Sequence, residues 1–170
     1  MKDAVPQEHK SHAPASVGCF VLTISDTKTP ETDVSGTLIR DRLAEAGHRV
    51  TGHAIVKDEP AQVSAVIRSG CAAPSVEAFI LTGGTGITSR DSTYEAIDAL
   101  LDKRLAGFGE LFRMLSYQEI GAAAMLSRAQ GGVVQGRVLF SLPGSPNACR
   151  LALEKLIIPE LPHLIREARR

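Results

Sequence analysis

Three short segments carry most of the residues whose type and spacing suit chemistry. They are Ser25-Asp26, Thr82-Gly83-Gly84-Thr85-Gly86 and Pro143-Gly144-Ser145-Pro146-Asn147. Each follows an apolar run and precedes a helical pattern. Clustered glycines let the main chain approach a ligand closely and aim N–H groups at it. A helix N-terminus adds partial positive charge, so such turns suit phosphate or another oxyanion. The segments are neither GxGxxG nor GxxxxGKS, which excludes the standard dinucleotide and Walker readings. The glycines are equally compatible with tight strand-to-helix turns that need them only for geometry. Asp91 lies just beyond the glycine segment, ahead of Ser92-Thr93-Tyr94-Glu95. It reads as a helix N-cap or as a ligand holding Mg²⁺ against nucleotide phosphates. Asp58 closes another strand and could share that ion; two carboxylates in an anion site repel unless a cation or proton intervenes.

The elements around these residues follow from periodicity. Val17–Ile24 is a short apolar run that fits a buried strand. Ile39, Leu43 and Ala46 mark a helix with Gly47 as its stop and Asp33 or Ser35 as its cap. A second strand over 48–56 is less apolar. Lys57-Asp-Glu-Pro60 opens a second helix bearing Val63, Val66 and Ile67, and Val76–Thr82 is a third strand. A helix follows Asp91 through Leu101. Phe108, Leu111, Phe112 and Leu115 form an amphipathic stripe, read as core ahead of subunit interface. Residues 121–126 continue helical and closely packed. Residues 131–142 read as a short strand or turn and then a buried strand. A last main helix carries Cys149, Leu153 and Leu156, and Pro159 and Pro162 punctuate a short terminal one. This alternation predicts a single α/β domain, a three-layer α/β/α sandwich on a mostly parallel sheet. Ligands then bind beyond the carboxyl ends of the strands, where the three segments fall.

Composition narrows the function. The chain has 170 residues, 19 Lys+Arg and 19 Asp+Glu. Zero net charge argues against a nucleic-acid partner but not against one small anion. No apolar run approaches the roughly 20 residues of a membrane span. Cys19, Cys71 and Cys149 are far apart and odd in number, which fits a reducing, cytoplasmic setting without a disulfide framework. Residues 1–16 are polar, carry Pro6 and Pro14, and read as a flexible tail before a domain over 17–170. His9 and His12 belong to that tail. His48, His53 and His163 lack metal-ligand spacing and read as structural or exposed. Arg90 and Arg128 are candidates for phosphate contact or for ordinary surface roles.

At this point the blocks resemble a family. Leu81-Thr-Gly-Gly-Thr-Gly-Ile87 with Arg90-Asp-Ser-Thr-Tyr-Glu-Ala96, and Leu142-Pro-Gly-Ser-Pro-Asn-Ala148, resemble the MoaB/Mog family of molybdenum cofactor biosynthesis. Thr23-Ile-Ser-Asp26, Asp33-Val-Ser-Gly36, Gly107–Arg113 and Ala124–Arg128 match further blocks in order, and 107–121 looks most like the MoaB branch. The resemblance spans about 17 to 161. It implies an α/β/α domain that binds molybdopterin. Active members adenylylate it with MgATP, giving adenylyl-molybdopterin and pyrophosphate. It implies a trimer or hexamer, with other cofactor-biosynthesis enzymes as further partners. Carried over, Gly83, Gly84, Thr85 and Gly86 line the nucleotide and phosphate site, with Thr82 at its strand edge. Asp91 and Asp58 are the acidic pair associated with Mg²⁺ and catalysis. Asp26, Asp33, Ser35 and Gly36 line the pterin side, beside Ser25. Ser127 and Arg128 match a Ser-Arg pair near the site, and Pro143 to Asn147 form the second loop at the edge. The chain departs from the common Val-Thr-Pro-Glu after the aspartate, having Ser92-Thr93-Tyr94-Glu95, and Lys57 stands where Pro usually precedes Asp-Glu. The rival reading is a non-catalytic molybdopterin-binding or assembly protein using the same pocket without ATP chemistry.

Overall fold

The structure is a computed structural model, and it describes residues 14–87 and 92–170. The strands are β1 (Gly18–Ile24), β2 (Arg49–Val56), β3 (Ala78–Thr82), β4 (Lys103–Arg104), β5 (Gln130–Val134) and β6 (Arg137–Leu142). The helices are α1 (Val34–Glu45), α2 (Pro60–Ala72), α3 (Thr93–Asp98), α4 (Ala106–Ile120), α5 (Pro146–Ala152) and α6 (Ile158–Ala168). The sheet order is β2-β1-β3-β6-β5-β4. β2, β1, β3 and β6 are parallel; β5 and β4 join through antiparallel pairings. The expected three-layer α/β/α sandwich on a mostly parallel sheet is the observed fold.

Strand alternation divides the core. Cys19, Val21, Ala78, Ile80, Val138, Phe140 and Leu142 pack with α1, α4, α5 and α6 on one face. Leu22, Ile24, Phe79, Leu81 and Leu139 pack with α2 and α3 on the other. β3 is buried on both faces, which explains its unbroken apolar run. β2 is an edge strand, which explains its weaker hydropathy. After β1 the chain turns to one face, through α1. After β3 it turns to the other, through α3. The β1/β3 boundary is therefore the switch point where a crevice opens at the carboxyl edge.

Local signals account for the helix ends. Asp33 caps α1 by accepting from Gly36 N, and Gly47 follows in the left-handed region at φ +83°. Pro60 is the first residue of α2, where its missing N–H costs nothing.

One expectation is sharpened and three need correction. The 131–142 stretch is a β5–β6 hairpin, turned at Gln135 (φ 46°) and Gly136 (φ 73°), with both central residues left-handed as such turns require. The segment Gly121–Leu126 is a 3₁₀ helix rather than a closely packed one; only Ala124 in it is buried. In the α4 stripe Phe108 and Phe112 are core, while Leu111 faces solvent. Pro159 and Pro162 do not split the C-terminal helix: a π-helical turn over Leu153–Ile157, closed by Ile158 N donating to Leu153 O, joins α5 to α6, with Pro159 in the first turn of α6 and Pro162 inside it. Among the described residues, no helix is long and apolar enough to cross a membrane.

Candidate functional site

The loops after β1, β3 and β6 meet at the carboxyl edge and are tied to one another. Gly83 N donates to Leu142 O at 3.0 Å. Thr82 Oγ1 donates to Pro143 O at 3.1 Å, and Ser35 Oγ donates to Gly144 O at 2.8 Å. Gly83 sits at φ +94°, and a Cβ there would lie 2.1 Å from Ile24 O, so only glycine allows β3 to leave the sheet this close to β1. Between these loops is a depression of about 80 Å³, lined by Thr23, Ser25, Asp33, Ser35, Thr82 and Gly144 among others. That is on the order of two or three water volumes, so it fits a phosphate-sized group rather than a whole pterin nucleotide.

Asp33 is the buried anchor of this edge. Its Oδ1 accepts from Gly36 N at 2.9 Å, and its Oδ2 accepts from Thr23 Oγ1 at 2.6 Å. His53 Nε2 lies 3.1 Å from the same Oδ2. A Cβ on Gly36 would fall 2.1 Å from that carboxylate, so this glycine makes room for the cap. Ser25 Oγ accepts from the N–H groups of Thr27 and Lys28, both at 3.2 Å, and shapes the exit of β1. Ser145 caps α5 by accepting from Ala148 N at 3.2 Å, and Pro146 takes its first turn. Asn147 is exposed there. Thr82 Oγ1 also lies 3.2 Å from Cys149 Sγ. Burial pushes that thiol up to about 11, so it is a packed hydrophobe and not a nucleophile.

Asp58 stands at the far end of the same edge. Its N–H donates to Asp26 Oδ1 at 3.2 Å, which joins the exits of β1 and β2. Asp58 Oδ1 is buried and has no hydrogen-bond partner. A buried carboxylate oxygen is costly in that state. Oxygen donors from one or two carboxylates suit Mg²⁺, which keeps waters and substrate phosphates as its other ligands. Asp58 and Asp26 supply donors of that type, while among the described residues no group of three His, Cys, Asp or Glu side chains is placed to hold a metal ion. Asp91 and Arg90, singled out by the sequence, lie outside the described residues, as do His9 and His12.

The glycine segment is held from behind. Gly84 has φ +65°, and a Cβ on it would lie 3.0 Å from Thr93 Cγ2. Arg128 Nε donates to Thr85 O at 3.2 Å; Nη2 donates to Gly86 O and Nη1 to the Glu95 carboxylate. Ser127 accepts from Ala129 N at 3.3 Å and shapes the entry to β5.

Residues 20–163 match the family described as "Probable molybdopterin binding domain". The chain belongs to this family. It is 53% identical over 164 residues to the molybdenum cofactor biosynthesis protein B of Bacillus cereus, covering 96% of this chain and 97% of that one. With the Escherichia coli K12 protein of the same name it shares 43% over 141 residues, 83% of each chain. A crystal structure of a molybdenum cofactor biosynthesis protein B superposes with a TM-score of 0.90 at 53% identity, over 94% of this chain and 99% of that one. The tungsten cofactor synthesizing protein MoaB from Pyrococcus furiosus superposes at 0.81 and 41% identity, over 93% and 100%. The MoaB/Mog resemblance and the fold it implied are thus found in both sequence and architecture.

Two residues of this carboxyl edge escaped the sequence reading. Thr23 and His53 complete the Asp33 network, yet each sits in a strand that reads only as apolar or mixed. No local pattern pairs residues thirty positions apart. The rest of the carboxyl edge was visible because glycine, proline and aspartate interrupt the strands there.

Proposed function

We propose that this chain acts in molybdenum cofactor biosynthesis, binding molybdopterin and adenylylating it with ATP and Mg²⁺. The observation that carries this reading is the orphaned Asp58 Oδ1 beside Asp26, at one end of an edge whose other turns are glycine-rich. A site for two phosphate-bearing molecules needs both a cation and main-chain donors, and this edge offers oxygen ligands for one and N–H groups for the other. The names of the relatives, molybdenum cofactor biosynthesis protein B, support the pathway.

The chemistry asks the chain for placement rather than for proton transfer. The terminal phosphate of molybdopterin is ionised at neutral pH and attacks the α-phosphorus of ATP. The new P–O bond forms as the bond to the bridging oxygen breaks, and pyrophosphate departs with that electron pair. Asp58 and Asp91, with Asp26 beside them, would hold Mg²⁺, which when bound offsets phosphate charge. Main-chain N–H groups of Gly84 to Gly86 would hold the nucleotide phosphates, with Gly83, whose own N–H is committed to Leu142 O, setting where the loop leaves β3. Ser25, Asp33, Ser35, Gly36 and the Pro143–Asn147 turn would shape the pterin side, with Ser127 and Arg128 supporting the glycine segment. Such pre-set geometry and electrostatics is the main source of acceleration in transfers of this kind.

The chain acts as a homo-oligomer in this reading. Leu111, Met114, Tyr117 and Ile120 are exposed along α4, and Met125 and Leu126 are exposed just after it. Large apolar side chains gathered in one exposed segment suit an interaction site, which a trimer or hexamer would cover. Three free, buried thiols fit a cytoplasmic location.

The deciding experiment mixes the protein with molybdopterin, MgATP and pyrophosphatase and separates the products. Adenylylated pterin supports the reading. Pterin binding that ignores ATP, with no product, would replace it with a non-catalytic binding or assembly role.

A further inference from the structure

We infer that Arg128 is a positioning residue that fixes the direction of the Gly86 and Ile87 N–H groups, and that Tyr94 and Glu95 hold Arg128 in place to do so. This deepens the anion-site reading above and rests on it only for the identity of the ligand.

The guanidinium is aimed at the loop's carbonyls. Nε donates to Thr85 O at 3.2 Å and Nη2 to Gly86 O. In a planar trans peptide the carbonyl of one residue and the N–H of the next point in opposite directions, and no cis bond occurs among the described residues. Fixing the Thr85 and Gly86 carbonyls on the Arg128 side therefore turns the Gly86 and Ile87 N–H groups to the opposite side. A glycine-rich turn cannot supply this order alone, because glycine samples both signs of φ. A planar fork that spans two neighbouring carbonyls suits the task; an ammonium is a point donor and does not.

Arg128 is itself held on two sides. Nη1 pairs with the Glu95 carboxylate, and the guanidinium carbon lies 4.5 Å from the centroid of the Tyr94 ring. Gln130, buried in β5, donates through Nε2 to Tyr94 O at 3.0 Å and ties the first turn of α3 to the same strand. With these donors committed to the loop and to Glu95, Arg128 acts on an anion through the main chain.

The test reads backbone order in the ligand-free protein and pyrophosphate affinity separately. ¹⁵N relaxation in the wild type and in Tyr94→Phe gives order parameters near ~0.8 for the Gly86 and Ile87 amides, and in Arg128→Lys below about 0.6. Tyr94→Ala falls between. Amides in β1 and β3 stay unchanged in all four proteins. Affinity for Mg-pyrophosphate falls about tenfold in Arg128→Lys, although the charge is kept, and Tyr94→Phe retains it. Rigid Gly86 and Ile87 amides in Arg128→Lys overturn the inference. If affinity falls while they stay rigid, Arg128 touches the anion directly. Should the wild type bind neither pyrophosphate nor ATP, the functional reading fails, and the order parameters still decide the role of Arg128.

Discussion

Substituting Gly83 and Gly144 separately asks whether the edge depends on one close backbone approach. Both are glycines in candidate loops, yet they differ in what a methyl would meet. At Gly83 the Cβ would lie 2.1 Å from Ile24 O, far inside the ordinary 3.4–4 Å contact range, and φ is +94°. Ile24 cannot give way cheaply, because β1 pairs with strands on both sides and Ser25 N donates to Val56 O at 2.8 Å. The β3 exit must therefore move by more than an ångström and loosen the Gly83 N to Leu142 O bond. Left-handed strain and one weakened hydrogen bond together cost roughly 2–4 kcal/mol. For a domain of this size that lowers Tm by about 5–15 °C. Displacing the phosphate donors by about 1 Å also costs on the order of 10²-fold in turnover. At Gly144 the nearest atom is Gly83 Cα at 3.7 Å, and the backbone is not left-handed. Gly144→Ala should stay within about 0.5 kcal/mol of wild type. Differential scanning calorimetry on both variants, with adenylylation rates alongside, checks this. Equal Tm values for Gly83→Ala and Gly144→Ala would refute the reasoning.

Asp58→Asn should keep molybdopterin binding and lose turnover, with Tm in metal-free buffer unchanged or raised, because an unpartnered buried carboxylate oxygen becomes neutral; unaltered turnover would remove it from the metal site. Asp91→Asn should behave alike in turnover while changing stability by less than ~1–2 kcal/mol, since asparagine also caps helices. Burial holds the His48 imidazole below the usual histidine range, and its Nδ1 accepts from Val17 N at 3.3 Å. The folded state thus binds its proton more weakly than the unfolded state. The associated stability is complete above about pH 6.5 and is lost as pH falls toward the folded value. Urea titrations from pH 7.5 to 5 should show a decline that His48→Gln reduces. Burial pushes Cys19 up to about 12 and Cys149 up to about 11, and raises Cys71 as well. Ellman's reagent at pH 8 should therefore find the three thiols only after denaturation.

The layers of the fold were legible because strands buried on two faces read as unbroken apolar runs, and because Asp33 and Gly47 mark the ends of α1 by local chemistry. The carboxyl edge was legible for a related reason: the loops that leave the strands there interrupt the apolar pattern, at Gly83, Asp58 and Pro143. Three features depended on contacts distant in sequence. The role of Thr23 and His53 exists only once β1 and β2 pair beside Asp33. Leu111 and Phe112 look equivalent in periodicity, and only packing separates the exposed one from the buried one. For Arg128 the sequence offers a phosphate contact or a surface role, and its bonds to loop carbonyls forty-odd positions away exist only once the fold brings β5 beside the glycine segment. The neutral charge balance was uninformative about the ligand, since main-chain N–H groups and helix ends add nothing to it.

The central claim is transfer of an adenylyl group to molybdopterin at this edge, and the fate of labelled ATP tests it most directly. The protein is incubated with molybdopterin, Mg²⁺ and ATP labelled at either the α- or the γ-phosphorus. Attack at the α-phosphorus predicts α-label in the pterin product and γ-label in pyrophosphate, in equal amounts and only when molybdopterin is present. Molybdopterin that binds yet leaves both labels in ATP would contradict it.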